Sequence, residues 1–189
     1  MRNKLGKVRV IGGKWRGTKL EVIHADGLRP TADRVKETLF NWLSMHLVGA
    51  HCLDLFSGSG ALGIEAVSRG ALDATLVECN ESLVHEIDSL LERLGAKNIK
   101  SVQADGLQWL TKSELQFDIV FLDPPFGSTL VDSCLDILSE RGLSEQALVY
   151  LERPRLASMP PKNWSVLKSG QTTDAVYMLL QKKPETIRV

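Results

Sequence analysis

The fold is decided by the stretch His51-Cys52-Leu53-Asp54-Leu55-Phe56-Ser57-Gly58-Ser59-Gly60-Ala61-Leu62-Gly63. Its first six residues predict a strand, and the residues after the glycines predict a helix to Arg69. The glycines have G-x-G-x-x-G spacing, which permits a tight turn, a close approach of backbone to ligand, and close packing of helix on strand. A loop that binds nothing is the plainer alternative, since this motif alone is weak.

Strand-like and helix-like segments alternate beyond this motif. Apolar runs at residues 74–78, 99–105 and 117–122 predict strands, and residues 80–94 predict an amphipathic helix that Asn80 caps and Gly95 ends. Alternation up to about Leu151 predicts a right-handed, doubly wound α/β sheet, which is a Rossmann-like fold. Runs at residues 164–168 and 175–181 predict an antiparallel hairpin that closes this sheet.

Four acidic residues each close one of the predicted strands: Asp54, Glu78, Asp105 and Asp123. Each alone is commonly a helix cap or a solvated loop end. Together they line the carboxyl edge of the sheet, where open α/β folds bind ligands. A carboxylate at position 54 suits an ammonium group and repels a pyrophosphate. The pattern therefore favours S-adenosylmethionine (AdoMet), with Glu78 on the ribose and Asp105 on the adenine. The predicted cofactor-binding residues are Asp54, Phe56, Ser57, Gly58, Ser59, Gly60, Gly63, Glu78, Asp105 and Gly106.

The motif Asp123-Pro124-Pro125-Phe126 follows the most apolar predicted strand. Two prolines cannot donate to a sheet ladder, and the first holds the residue before it extended. The Asp123 carboxylate and the Pro124 carbonyl are thus two acceptors for the N–H bonds of a nucleobase amine. They would stabilise the positive charge that grows as that nitrogen attacks an electrophile, while Phe126 stacks on the base. An ordinary Asp-Pro turn is the alternative.

The net charge is zero but unevenly distributed. Residues 1–40 hold ten Lys or Arg and four Asp or Glu, a net charge of +6, and the rest of the chain carries −6. We predict a hairpin over residues 7–23, with Gly12-Gly13 at or near its turn, then a helix from Pro30-Thr31 to about Leu47. A basic arm beside Trp15 predicts RNA contact, and a solvated hairpin is the alternative. The predicted RNA-binding residues are Arg9, Lys14, Trp15, Arg16, Lys19, Arg29 and Arg34.

Length and composition fit one compact domain. With 189 residues and 43% hydrophobic content, we predict a single unit made of a hairpin extension (residues 1–28) and a catalytic core (residues 29–189). The sequence has neither a run that would span a bilayer nor a secretory signal, and its three scattered cysteines predict reduced core thiols. We expect a cytoplasmic monomer that binds no metal and no membrane.

The chain resembles the RsmD family, bacterial methyltransferases of small-subunit ribosomal RNA guanine N2, over nearly its whole length. The resemblance lies in RVIGGKWRG at residues 9–17, RPTADRVKETLFNWL at 29–43, DLFSGSGALGIEA at 54–66 and DPPF at 123–126. It implies a seven-stranded AdoMet-dependent methyltransferase fold with the DPPF motif as catalytic residues. It also implies transfer of a methyl group to N2 of a flipped-out guanine 966 in 16S ribosomal RNA, within the 30S subunit or an assembly intermediate.

Four rival functions remain open from the residues. A nicotinamide oxidoreductase uses the same glycine loop but leaves Asp123-Pro124-Pro125-Phe126 unexplained. A DNA adenine-N6 methyltransferase shares that motif, yet usually carries a recognition region for which this chain has little room. A protein-glutamine methyltransferase normally has Asn in place of Asp123. A catalytically inactive assembly factor on the same fold would bind RNA and no cofactor.

Overall fold

A computed structural model describes residues 6–22, 33–124, 130–155, 160 and 162–184. The strands are β1 (Gly6–Arg9), β2 (Lys19–Val22), β3 (His51–Asp54), β4 (Asp73–Glu78), β5 (Ile99–Gln103), β6 (Phe117–Leu122), β7 (Leu143–Pro154), β8 (Trp164–Gln171) and β9 (Ala175–Lys182). The helices are α1 (Asp33–Trp42), α2 (Ala61–Ser68), α3 (Glu81–Leu94), α4 (Gly106–Lys112) and α5 (Leu130–Glu140).

Seven strands form one sheet in the order β5-β4-β3-β6-β7-β9-β8. Neighbours from β5 to β7 are parallel, and β9 runs antiparallel to both β7 and β8. The doubly wound sheet and its closing C-terminal hairpin are therefore confirmed. The chain leaves β3 toward β4 on one side and later returns on its other side as β6. Ligands bind at such a reversal of strand order, and the glycine loop follows β3 at this point.

Hydrophobic side chains cover both faces of the sheet. One face packs against α1, α2, α3 and the N-terminal hairpin, which contributes Val8, Val10 and Leu20. The other face packs against α4 and α5. Because parallel strands are buried on both sides, they are apolar almost throughout rather than alternating. Strand β6 shows this most clearly: all of its residues are buried except Asp118.

Local capping signals predicted the α3 boundaries correctly. The Asn80 side chain accepts hydrogen bonds from the backbone N–H groups of Ser82 and Leu83, at 2.9 and 3.3 Å. Gly95 ends the helix in the left-handed conformation, with φ of 60°. Such a cap favours glycine because it has no Cβ to clash.

The predicted end of α1 at Leu47 is wrong. The helix ends at Trp42, and the chain continues in turns in which the His46 N–H donates to the Leu43 carbonyl. Leu43 and Leu47 are nevertheless buried, so the apolar spacing was real but did not distinguish a helix from tightly wound turns. The predicted helix start at Pro30-Thr31 lies outside the described residues.

The N-terminal hairpin is confirmed, and Gly12 and Gly13 lie in the connection between its two strands, as predicted. Strands β1 and β2 pair from Gly6 opposite Val22 to Arg9 opposite Lys19. The long connection between them lies on the C-terminal turn of α2. Gly13 has φ of +76°, and a Cβ there would lie 1.8 Å from the backbone oxygen of Ser68. The glycine therefore allows the loop to approach α2 closely.

Within the described residues, every helix is too short or too polar to cross a lipid bilayer.

Candidate active site

The glycine loop has the tight turn and the close helix–strand packing that its spacing predicted. Gly58 and Gly60 have φ of 53° and 73°, in the region that favours glycine. A Cβ at Gly63 would lie 2.2 Å from Cδ2 of Leu76 on β4, so only glycine lets α2 pack this closely on the sheet. The loop thus leaves β3 in a tight turn and delivers the N-terminus of α2 to the sheet edge.

Ser57 provides a direct test of whether this loop suits a polar ligand. Its side chain is 7% exposed, and within the part of the chain that the structure describes its hydroxyl has no hydrogen-bond partner. A buried hydroxyl without a partner is unfavourable, and such groups are commonly satisfied by a ligand or an ordered water. The loop therefore fits a cofactor that carries hydrogen-bonding groups.

Glu78 links the end of β4 to the glycine loop. One carboxylate oxygen accepts from the Gly58 N–H at 2.9 Å, and the other accepts from the Asn80 N–H at 2.8 Å. These bonds fix the carboxylate beside the loop, twenty residues after the first glycine, where ribose hydroxyls are expected. A carboxylate has about four acceptor positions, so both bonds leave capacity for a ligand.

Asp54 ends β3 beneath the loop and is 2% exposed. Its Oδ2 accepts from the Gly63 N–H at 3.0 Å, which joins the strand to the first turn of α2. Burial raises the pKa of this carboxyl to about 7, the Gly63 hydrogen bond opposes the rise, and the charge on Glu78 adds to it. This carboxyl therefore gains or loses its proton near neutral pH.

Asp105 is the N-cap of α4, because its Oδ1 accepts from the Gln108 N–H at 2.9 Å. This is the plainer role that the sequence left open, and it does not prevent the second oxygen from binding a ligand. A Cβ at Gly106 would lie 2.8 Å from both the Leu55 carbonyl oxygen and the Phe56 ring. Glycine at this position therefore lets α4 approach the residues that lead into the glycine loop.

Asp123 and Pro124 follow β6 at the same edge of the sheet. Asp54 on β3 pairs with Phe121 on β6, so Asp123 lies two residues beyond the level of Asp54 on the neighbouring strand. Asp123 is half-buried and Pro124 is buried. Pro125 and Phe126 lie outside the described residues. The predicted carboxylate and carbonyl are thus next to the loop that the cofactor would occupy.

The chain is similar to characterised proteins over nearly its whole length. A family model described as Conserved hypothetical protein 95 matches residues 8–181. The Escherichia coli (strain K12) protein named Ribosomal RNA small subunit methyltransferase D is 42% identical over 183 residues, which cover 95% of this chain and 92% of the relative. The Haemophilus influenzae protein of the same name is 40% identical, covering 95% of this chain and 96% of the relative. The chain belongs to the RsmD family.

The fold of the RsmD family agrees with the one described above. The solved structure of yhhF from Escherichia coli is 41% identical, with a TM-score of 0.86, and the match covers 95% of this chain and 100% of that chain. The seven-stranded methyltransferase fold with an N-terminal hairpin is therefore confirmed, and so is the enzyme class. An oxidoreductase and a non-enzymatic assembly factor are not supported by these relatives.

The basic side chains predicted to bind RNA are mostly on the surface of this RsmD-family chain. Arg29 lies outside the described residues. Arg9 also forms an ion pair with Asp33, at 2.9 Å between its Nε and Oδ2. The exposed members of the predicted set are Arg9, Lys14, Arg16, Lys19 and Arg34.

Trp15 was predicted to contact RNA, but its side chain is buried. Its side chain is 8% exposed and belongs to the hydrophobic core between the hairpin and the sheet. Lys14 lies over its ring, with Nζ 5.3 Å from the centroid. A ring with so little exposed surface is poorly placed to stack on a base. Trp15 instead anchors the loop that carries Lys14 and Arg16, and its N–H group on the backbone donates to the Ser68 hydroxyl at 2.9 Å.

The cysteines are all free, as predicted, but not all in the core. Cys52 and Cys134 are buried, whereas Cys79 is exposed beside Glu78. The prediction of core thiols is therefore wrong for Cys79. The described part of the chain brings together no cluster of His, Cys, Asp or Glu able to hold a metal ion.

Sequence reasoning missed one polar pair at the catalytic edge. Tyr150, fully buried on β7, donates its hydroxyl to Oε1 of Glu152 at 2.6 Å. A signal was present, because the apolar run at residues 147–151 also ends in an acid, like the four strands that were recognised. A polar, proline-rich segment follows at residues 152–161, and such a segment does not predict a strand. In fact β7 extends to Pro154.

Proposed function

We propose that this chain transfers the methyl group of AdoMet to the exocyclic N2 of a guanine, position 966, in 16S ribosomal RNA. The observation that carries the proposal is the position of the Asp123 carboxylate and Pro124, on the strand next to the glycine loop, in a chain of the RsmD family. Relatives 40% and 42% identical are named for methylation of small-subunit ribosomal RNA.

The residues of the glycine loop and the neighbouring strand ends would hold the cofactor. The Ser57 hydroxyl, buried and without a partner among described residues, gains a hydrogen bond when a ligand fills the loop. Asp54 would bind the ammonium group, Glu78 the ribose and Asp105 the adenine, while Phe56, Ser59 and Gly106 would lie next to the cofactor. When bound, AdoMet supplies a methyl group already activated by a sulfonium charge.

The catalytic residues mainly position the amine and stabilise charge. Asp123 accepts one N–H of the guanine amine and the Pro124 carbonyl accepts the other, so the nitrogen lone pair becomes available. Phe126 stacks on the base, which leaves its helix or loop to reach the pocket. The N2–CH3 bond would form as the S–CH3 bond breaks and its electron pair returns to sulfur, and the amine would then release its surplus proton to solvent. Alignment of these atoms by the rigid end of β6 supplies most of the rate enhancement.

RNA would be held by the exposed basic side chains of the hairpin loop and the first turn of α1. Lys14 and Arg16 lie on the loop between β1 and β2, and Arg34 lies on α1. Contacts of this kind neutralise phosphates and position the substrate without reading its sequence. We further propose that the protein acts as a cytoplasmic monomer of one domain on the 30S subunit or an assembly intermediate, and without a metal.

Transfer of labelled methyl groups tests this function directly. The protein is incubated with labelled AdoMet and, separately, with naked 16S RNA and with 30S particles that lack the modification. The RNA is then digested and the modified nucleoside identified. We expect N2-methylguanosine at one position, with more product from the particles. Methylated adenine in DNA, or no transfer to either RNA substrate, would contradict the proposal.

A further inference from the structure

Glu152 lies beside Asp123 at the catalytic edge of the sheet. The last pair between β6 and β7 is Leu122 opposite Leu151, so Asp123 and Glu152 follow one residue later on neighbouring strands. Paired residues of adjacent strands are about 5 Å apart and point to the same face. Phe121 and Tyr150, two residues earlier, pair in this way and belong to the same hydrophobic cluster.

Tyr150 orients the Glu152 side chain. The tyrosine ring is fully buried, and its hydroxyl donates to Oε1 of Glu152 at 2.6 Å. Burial raises the pKa of Tyr150 well above its usual value, and the charges on Glu152 and Asp123 raise it further. The hydroxyl therefore keeps its proton and donates at all physiological pH values.

A rigid aromatic pair supports the other side of Glu152. Its partner on β9 is Tyr177, whose ring stacks on Trp42 of α1 with centroids 5.5 Å apart. Glu152 is half-buried between this pair and Asp123. A carboxylate has about four acceptor positions, so the bond to Tyr150 does not prevent Glu152 from also accepting from a ligand.

Guanine presents the donors that two neighbouring carboxylates can accept. Its Watson–Crick edge carries the N1–H beside the N2 amine, and enzymes that extrude a base read this edge by hydrogen bonds. We propose that Glu152 is a specificity-determining residue, which accepts the N1–H of the target guanine while Asp123 and Pro124 accept from its N2 amine. This inference rests on the proposed function and adds to it the residue that recognises the base.

The inference predicts how the enzyme rejects other purines. Adenine and 2-aminopurine have a bare N1, which is an acceptor, so it repels the Glu152 carboxylate. A site built to bind an N–H group discriminates strongly against analogues that lack it. 2-Aminopurine is the sharper probe, because it keeps the reacting N2 amine and differs from guanine in the N1–H and the O6 oxygen.

The experiment compares methyl transfer to two substrates that differ only at the target base. Particles are reconstituted with 16S RNA ligated to carry guanine or 2-aminopurine at that position, and kcat/KM is measured for each. We expect the wild-type protein to favour guanine by at least about 10²-fold. Glu152→Gln replaces one acceptor oxygen with an NH2 donor, so it should lower kcat/KM on guanine about 10-fold or more. It should also shift the preference toward 2-aminopurine by at least about 10-fold.

Two further variants separate recognition from structure. Tyr150→Phe keeps the carboxylate and removes only its orienting hydrogen bond, so it should weaken the guanine preference in the same direction by a smaller factor. Glu145→Gln makes the same chemical change at an exposed position on the same strand and should alter nothing. If Glu152→Gln fails to fold, Tyr150→Phe carries the test.

The outcomes distinguish this inference from the function on which it rests. An unchanged guanine to 2-aminopurine ratio in Glu152→Gln or Tyr150→Phe, with wild-type methylation of guanine intact, would overturn the role of Glu152 alone. Absence of N2 methylation by the wild-type protein would overturn both.

Discussion

Asp54, an acid of the candidate site, has a strongly shifted pKa. It is 2% exposed, and burial raises its pKa to about 7, well above the usual value near 4. In the absence of a cation the group is therefore partly protonated at neutral pH. A bound ammonium group would favour the ionised form, so cofactor binding and proton release are coupled.

This coupling predicts a pH dependence of AdoMet affinity. Below about pH 7 binding has to displace a proton from Asp54, so affinity should rise by up to about tenfold between about pH 6 and about pH 7 and level off above. The Asp54→Asn variant carries no titrating group at this position, so its weaker affinity should be independent of pH in this window. Isothermal titration calorimetry in buffers of different ionisation enthalpy measures both the affinity and the released proton. An equal slope in wild type and variant would assign the proton to another group.

A buried carboxylate on α2 binds the N-terminal hairpin through hydrogen bonds. Glu65 is fully buried and accepts from the backbone N–H groups of Ile11 and Gly12 and from Nε of Arg69, each at 2.7 Å. Lys36, also fully buried, donates from Nζ to the Arg9 carbonyl at 2.6 Å. Burial lowers the pKa of Lys36, and the charge on Glu65 opposes that shift. The buried charges of Glu65 and Lys36 thus favour each other, and both groups bind the hairpin to the rest of the protein.

Removal of Glu65 should destabilise the protein strongly. Glu65→Ala leaves two backbone donors and Nε of Arg69 without their shared acceptor, and it removes the negative charge near buried Lys36. Breaking a buried ionic network of this kind costs about 3–5 kcal/mol. Urea denaturation measures the free energy of unfolding. The matched control is Glu92→Ala on the exposed face of α3, which should change that free energy by less than about 0.5 kcal/mol. Similar effects of the two substitutions would mean that the network adds nothing to stability.

Elements whose boundaries are set by local chemistry were predicted well. Asn80 and Gly95 mark the ends of α3, and the apolar run of β6 matches a strand buried on both faces. The end of α1 was predicted incorrectly because turns after Trp42 bury Leu43 and Leu47 at the same spacing as a helix would.

Roles that depend on contacts distant in sequence could not be predicted. Trp15 stands among cations in the sequence, yet its loop is held by Ser68, more than fifty residues away, which buries the ring. Glu152 gains its position from the register of β7 against β6, which the sequence does not encode locally. The glycine loop and the acid at each strand end were predictable because motif spacing and strand polarity determine them.

At the scale of the whole molecule, the positive charge is concentrated in the N-terminal part of the chain. Changing Lys14, Arg16 and Lys19 together to Glu reverses three exposed charges on the hairpin. RNA affinity should fall by at least about tenfold at moderate salt, and the dependence of affinity on salt concentration should flatten, because fewer phosphate counterions are released. AdoMet affinity should stay unchanged. Filter binding with 16S RNA over a range of salt concentrations measures the RNA affinity and its dependence on salt.

A matched set of lysines is available away from the hairpin. Lys97 precedes β5, Lys100 lies on β5 and Lys112 lies in the last turn of α4, and all three are exposed. Changing these three lysines to Glu alters the net charge by the same amount as the hairpin variant does, and it leaves the hairpin residues unchanged. If both triple variants lose RNA affinity equally, overall charge rather than a basic arm governs binding.

The central claim is that the end of β6 holds the reacting amine, and single-turnover methyl transfer by Asp123→Ala tests it most directly. The variant is saturated with labelled AdoMet and mixed with excess 30S particles, and the rate is compared with wild type after both proteins show the same thermal unfolding and cofactor affinity. We expect a rate at least about 10²-fold slower, the scale of losing one group positioned at a transition-state charge. A rate within a few-fold of wild type would contradict it.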